Sequence, residues 1–241
     1  MTSRSAGTAV LLLRLAGPLQ SWGSSARFAR RSTENAPTKS GILGLLASAE
    51  GRPRDADLSD LTALRFGVRI DQPGSRLRDF HTAHHADTGK SMPLSERFYL
   101  ADAVFVAGVE GDPALLHRLY DAVRAPRFLP FLGRRSCPPS LPLDLGPPLP
   151  DTDLDEALRA APWQASPWYR KRAGREPVPL DLLLDCPPAD APHLSLRDTP
   201  VSFDPRHRQY ALRGVVTGHA DLQTDHDPTT GLRPLPAPRT S

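Results

Sequence analysis

Thr8-Ala9-Val10-Leu11-Leu12-Leu13-Arg14-Leu15, closed by Ala16-Gly17-Pro18, decides the reading of this chain. The run is short, almost wholly apolar, rich in Val and Leu, and ends on a turn signal, which is the pattern of a buried strand. Downstream, Thr38-Lys39-Ser40 precedes Ile42, Leu43, Leu45, Leu46 and Ala49, which fall on one broad helical face, and Gly51 and Pro53 follow as stops. That spacing predicts a helix over 40–50 capped by Thr38 or Ser40. Leu64, Phe66, Val68 and Ile70 then alternate with Arg65, Gly67 and Arg69, the period of a half-buried strand. Phe98 to Val109 returns to strand composition, and Pro113 to Val123 carries Leu115, Leu116, Leu119 and Val123 at helical spacing. Leu141 to Leu145 supplies a fourth strand. Strand, helix, strand, strand, helix, strand is the order of the split βαβ sandwich, an α+β, ferredoxin-like fold that RNA-recognition-motif domains share. Many unrelated proteins share it too, so the order implies a fold and not a function.

Working outward, Gln72 to Leu94 shows no core pattern and is too long for a hairpin turn, so it is an insertion. Residues 8–147 form the expected ferredoxin-like domain. Residues 148–217 are expected to make a small, β-rich C-terminal region, with a short helix at Leu154 to Ala161 and strands near Leu180 to Leu184 and Tyr210 to Val216. Residues 218–241 contain Pro228, Pro234, Pro236 and Pro238 with almost no apolar periodicity, and are expected to form a disordered tail.

Composition narrows the partners. Twenty-seven prolines in 241 residues point to many irregular connections. The net charge is only +3, but residues 1–54 hold Arg4, Arg14, Arg27, Arg30, Arg31, Lys39, Arg52 and Arg54 against Glu34 and Glu50. A basic face of this kind suits a polyanion, although many proteins carry one merely as a solvated surface. No apolar run is long enough to cross a bilayer, and residues 1–7 lack the layout of a secretion signal, so a cytoplasmic location is expected. Two cysteines, Cys137 and Cys186, are too few for a disulfide framework or a thiolate zinc site. No cofactor motif is present.

Several short motifs carry chemistry, each with a bland alternative. Pro37-Thr38-Lys39-Ser40-Gly41 lacks the first glycine of a nucleotide-binding loop. A helix start can still hold a phosphate on its free N–H groups, while simple capping accounts for the same residues and is favoured by spacing. Trp22, in Gln20-Ser21-Trp22-Gly23, can stack on a base or pack in the core, and packing is the default; Arg27, Arg30 and Arg31 lie nearby. His81, His84 and His85, flanked by Asp79 and Asp87, invite a metal or an acid–base pair, yet they sit in the insertion without helical spacing, so a solvated loop is favoured and no metal is expected. Gly133-Arg134-Arg135-Ser136-Cys137-Pro138 can present two guanidinium groups to phosphates or form a surface loop. Arg206-His207-Arg208 is a second basic run, framed by Phe203 and Tyr210.

Taken in order, Leu13 to Gly23, Pro37 to Leu46, Asp79-Phe80-His81-Thr82, Tyr99-Leu100-Ala101-Asp102-Ala103, Gly133 to Pro138 and Arg206 to Tyr210 make the chain similar to the CRISPR-associated CasD family, a Cascade subunit of subtype I-E. The resemblance spans residues 8–216. It implies a ferredoxin-like domain whose insertion is a thumb hairpin over about 76–97. It further implies a non-catalytic structural subunit that caps the 5′ handle of the guide RNA (crRNA), abutting the backbone subunit CasC and the large subunit CasA, with target DNA met only through the complex. Inside the matching motifs, Arg27, Arg30, Arg31, Lys39, Arg134, Arg135, Arg206 and Arg208 are the expected phosphate contacts, with Trp22 and His81 as base contacts. Relatives of subtype I-C cut repeat RNA without metal, which leaves a metal-independent endoribonuclease as the alternative.

Overall fold

β1 (Ala9–Ala16) lies in the middle of the molecule, and all its residues but Arg14 are buried. The computed structural model describes residues 7–23, 30–174, 178–187, 190–204, 206 and 208–222. After β1 come β2 (Leu19–Gln20), β3 (Arg30–Arg31), α1 (Lys39–Glu50), α2 (Ser59–Thr62), β4 (Arg65–Gln72), β5 (Ser75–His81), β6 (Ser95–Ala101), β7 (Val104–Gly111) and α3 (Pro113–Arg124). Then follow β8 (Leu149–Pro150), α4 (Leu154–Ala160), α5 (Pro167–Ala173), β9 (Val178–Asp185), β10 (Leu194–Ser202) and β11 (Gln209–Leu222). The class is α+β.

One sheet runs in the order β10-β11-β9-β4-β7-β1-β8. β7 is antiparallel to both β1 and β4, so those two strands run parallel on either side of it, with α1 crossing between them. This is a split βαβ arrangement. Burial on two faces explains why β1 is apolar throughout. Leu11, Leu13 and Leu15 meet Ile42, Leu43, Leu46, Leu116 and Leu119 of α1 and α3, while Val10 and Leu12 meet Leu154 and Leu158 of α4. The helix ends follow local chemistry. Thr38 Oγ1 accepts the Gly41 N–H at 3.3 Å, Gly51 closes α1 at φ 82°, and the Asp112 carboxylate accepts the Leu115 N–H at 2.8 Å.

Three expectations differ from the structure. The stretch Phe98 to Val109 is not one strand. Asp102 adopts φ 55° and turns the chain, with its N–H donated to Pro18 O at 3.1 Å and its carbonyl accepting from Gln72 Nε2 at 2.5 Å. An Asp tolerates this left-handed conformation better than most residues. β6 thereby leaves the main sheet and joins β5, β2 and β3 in a second one, where β5 and β6 form the inserted hairpin. The fourth strand of the sandwich shrinks to β8 and a single bridge between Leu13 and Asp144, because Pro142, Pro147 and Pro148 cannot donate to a ladder. Finally, β9 pairs with β4 through Gly67–Arg69, so the C-terminal strands extend the main sheet. β11 reaches Leu222, five residues into the expected tail, since pairing with β9 supplies hydrogen bonds that local periodicity does not reveal. Residues 223–241, the rest of that expected tail, lie outside the described residues.

Two buried charge clusters fasten these additions. Arg69 and Asp71, both fully buried, form a bidentate pair at 2.7 and 3.0 Å, and Arg69 also donates to the carbonyls of Leu158, Ala161 and Pro162 at the end of α4. Burial outweighs this partner and raises the Asp71 carboxyl above its ordinary range. Lys39, Asp185, Asp198 and Arg213 form the second cluster and tie α1 to β9, β10 and β11.

Candidate nucleic-acid interface

The segment after β2 and the turn after α3 are built against each other. Ser21 N–H donates to Leu132 O at 3.1 Å, Leu132 N–H to Cys137 O at 2.7 Å, and Cys137 N–H to Arg134 O at 2.8 Å. Gly133, at φ 82°, approaches so closely that a Cβ there would stand 1.8 Å from Ser21 O. Only glycine fits both the angle and the space. The consequence is a tight turn that projects Arg134 and Arg135. The Arg134 guanidinium lies over the buried Tyr99 ring at 4.7 Å, which fixes its plane, and Arg135 is exposed. Burial pushes the Cys137 thiol up, so it stays neutral beneath the turn.

The opposite wall comes from the end of β10 and the start of β11. Phe203 faces Gly44 of α1, where an added Cβ would meet its ring at 3.5 Å. Arg197 donates to Tyr210 O at 3.3 Å. The second charge cluster holds this wall over α1. Lys39 Nζ bonds Asp185 at 2.9 Å, its backbone N–H donates to Asp198 at 2.9 Å, and Arg213 spans both carboxylates at 2.7 to 2.8 Å. Burial works to lower the Arg213 pKa, but hydrogen bonding and charge from Asp198 and Asp185 prevail and raise it.

Between the walls runs a groove of about 1850 Å³ that, among the described residues, is lined by Arg54, Arg134, Arg135, Arg197 and Arg208 and by no Asp or Glu. Ser21, Ser32, Thr38, Ser40 and Ser48 add hydroxyls, and Phe128, Leu129, Phe203 and Tyr210 add apolar surface. Phe128 and Leu129 are 56% and 87% exposed. Five guanidinium groups with no carboxylate among the described lining residues favour an anion, and aromatic faces beside them suit unpaired bases.

The structure sorts the expected contacts. Arg134, Arg135 and Arg208 line the groove, whereas Arg206, exposed in the turn before β11, is not among its lining residues. Lys39 is corrected: it is 6% exposed and spends its ammonium on Asp185, so it is an internal clamp and not a phosphate contact. Trp22 is also corrected. It is 1% exposed, donates its indole N–H to Gln20 Oε1 at 3.1 Å, and its ring presses on Gly41, where a Cβ would sit 2.8 Å away; it is the floor of the groove and offers no face to a base. His81 is exposed at the end of β5 and does not line the groove. Arg30 and Arg31 pair by backbone with Glu96 and Arg97, their side chains lying outside the described residues, as does Arg27 altogether. His84 and His85 bond within their own hairpin turn, His84 Nδ1 to Gly89 O at 3.2 Å and His85 Nδ1 to Asp87 N at 3.3 Å. Sequence reasoning did not bring Arg54 and Arg197 to the site. Arg197 lies in β10, whose alternation is blurred by Pro200, and Arg54 needs the fold to meet the rest.

A split βαβ protein with an inserted hairpin and an arginine-lined groove is thus the class that fold and site define. Residues 10–216 match the family described as CRISPR-associated protein (Cas_Cas5), and the chain belongs to that family. It is 40% identical over 157 residues to the CRISPR system Cascade subunit CasD of Escherichia coli (strain K12), covering 56% of this chain and 70% of that protein. Among solved structures it resembles one described as a Cas protein, at TM-score 0.69 and 39% identity over 88% of this chain and 95% of the other. It also resembles a chain of a CRISPR RNA-guided surveillance complex, at TM-score 0.70 and 32% identity over 89% of this chain and 91% of the other.

Proposed function

We propose that this chain is a non-catalytic structural subunit of a type I-E Cascade complex that caps the 5′ handle of the guide RNA, with CasC and CasA as its protein neighbours. The observation that carries the reading is the groove whose described lining holds five arginines and no carboxylate, all of it within the residues that match the family. Similarity to a Cascade subunit and to a chain of an RNA-guided surveillance complex supports the assembly. The chemistry is electrostatic holding. Each arginine that meets a phosphate releases counterions, and five such contacts to a single strand give a slope of log affinity against log salt of about −3.5. Aromatic surface along the groove supports bases that are splayed rather than paired.

Binding is favoured over cleavage by the spread of the groups that acid–base chemistry would use. Tyr99 is 4% exposed beneath Arg134, whereas His81 and His84 stand exposed on the hairpin. A general acid and base must flank one phosphate within hydrogen-bond reach. The test is the full chain with a cognate repeat RNA. Arg134→Ala/Arg135→Ala is expected to flatten the salt slope by about 1.4, and an unchanged slope overturns the groove as the RNA site. Intact RNA after incubation without metal is expected; cleavage that disappears in His81→Ala overturns the non-catalytic reading.

A further inference from the structure

Among the helices of the described residues, α5 alone buries no side chain fully. It is nonetheless anchored at its start. Ser166 donates through N–H and Oγ to Gln72 Oε1 at 3.1 and 2.8 Å, Trp163 donates its indole N–H to Asp71 O at 2.9 Å, and Tyr169 packs edge-on against Trp163 with centroids 6.3 Å apart. That anchoring turns Tyr169 toward the protein and Trp168 away from it. Trp168 is 54% exposed, edge-on to Tyr169 at 5.6 Å.

Helical spacing places Lys171 and Arg172 three and four residues from Trp168, on the same face. Arg170, Lys171 and Arg172 are three adjacent cations, and none forms an ion pair with a described residue. Cations complement the carbonyl end of a helix, which accounts for part of this run. It does not account for an exposed indole beside them. An aromatic face next to two exposed cations is the combination that grips single-stranded nucleic acid, the ring stacking on a base while the cations meet its phosphates.

The location is separate from the groove. α4, which leads into α5, packs on the face of the main sheet opposite α1 and α3, and no residue of α5 lines the groove. We propose that α5 is a second contact for a single-stranded polynucleotide, with Trp168 stacking on a base and Lys171 and Arg172 holding flanking phosphates. The inference goes beyond the groove and does not depend on it. The strand is either a further stretch of RNA or a DNA strand, and the two differ at the 2′-hydroxyl.

The test uses the full chain carrying Arg134→Glu/Arg135→Glu, which reverses two of the groove's charges and weakens its share of binding, titrated into fluorescein-labelled oligouridylate and oligothymidylate and followed by anisotropy. Residual affinity is expected, weakened about tenfold by Trp168→Ala and made less salt-dependent, by about 1.4 in slope, by Lys171→Ala/Arg172→Ala. Tighter binding of oligouridylate assigns the site to RNA, and equal binding assigns it to base faces and phosphates that both strands share. If both sets of variants bind like their parent, the proposal is overturned. It is equally overturned if they keep oligonucleotide affinity but fail to join the assembled complex, because α5 is then a protein-docking face. Unaltered circular dichroism of these surface variants separates either result from misfolding.

Discussion

Lys39→Met distinguishes an internal clamp from a phosphate contact. Methionine keeps most of the aliphatic stem that packs under β10, so the perturbation is chiefly electrostatic. The native cluster balances two cations, Lys39 and Arg213, against Asp185 and Asp198, and the substitution leaves that buried set one negative charge in excess. Asp185 does not become wholly unpartnered, because Arg213 at 2.7 Å and the Phe66 N–H at 3.0 Å remain. Removing one member of a buried pair costs about 3–5 kcal/mol, and the surviving partners place this case near the lower end, about 3 kcal/mol. With a urea dependence of about 3 kcal/mol per molar, the unfolding midpoint falls by about 1 M. The assay is paired: urea unfolding, and the salt slope of RNA binding on the folded variant. A lower midpoint with the parent's slope is expected. An unchanged midpoint together with a slope flatter by about 0.7, one phosphate's share, refutes the clamp and restores Lys39 as an RNA contact.

Three further outcomes follow from the same geometry. Gly133→Ala places a methyl 1.8 Å from Ser21 O at a left-handed φ, so the turn opens; urea unfolding is expected to show a loss on the order of 3 kcal/mol, and the arginine turn's share of RNA affinity falls with it. Trp22→Ala empties a fully buried site and is expected to cost about 3–5 kcal/mol, whereas weaker RNA binding at unchanged stability would return the indole to a stacking role. Asp60 is held below its ordinary pKa by its hydrogen bonds to Arg52, so the pair's stabilisation is present above about pH 3.8 and is lost as pH falls through the lower folded value. The advantage of the parent over Asp60→Asn in urea unfolding is therefore expected near neutrality and shrinks below pH 3.8; a difference that does not vary with pH contradicts the pairing.

Where chemistry is local, the sequence was legible. Thr38 and Gly51 mark helix ends through bonds to residues within a few positions, Pro113 stands in the first turn of α3, and the continuous apolarity of β1 announced a buried strand. Gly133-Arg134-Arg135 was legible as a turn that either presents its guanidinium groups or lies as a surface loop, and it is the distant Ser21, against which the turn is built, that fixes its course. Lys39 was not, because its partners Asp185 and Asp198 lie 146 and 159 residues away, and nothing at the helix start reveals that the ammonium is already satisfied. For Trp22 the default reading, packing in the core, agrees with the buried ring, whereas the base contact expected within the family motif does not, because α1 crosses over the indole. The groove itself depends on β10 and β11 covering α1, a long-range pairing in which Pro200 and two register shifts hide the strand period. So the arginine turn and the basic run before Tyr210 could be named from sequence, but not that Arg54 and Arg197 join them on one surface.

The central claim is that one strand of RNA lies in this groove. Ultraviolet crosslinking of the full chain to a cognate repeat RNA, with crosslinked peptides identified by mass spectrometry, tests it most directly. Adducts are expected on Phe128, Phe203 and Tyr210, three of the aromatic side chains that line the groove, and are expected to be lost in Arg134→Glu/Arg135→Glu. Adducts confined to the hairpin or to α5, with none from the groove, would contradict it.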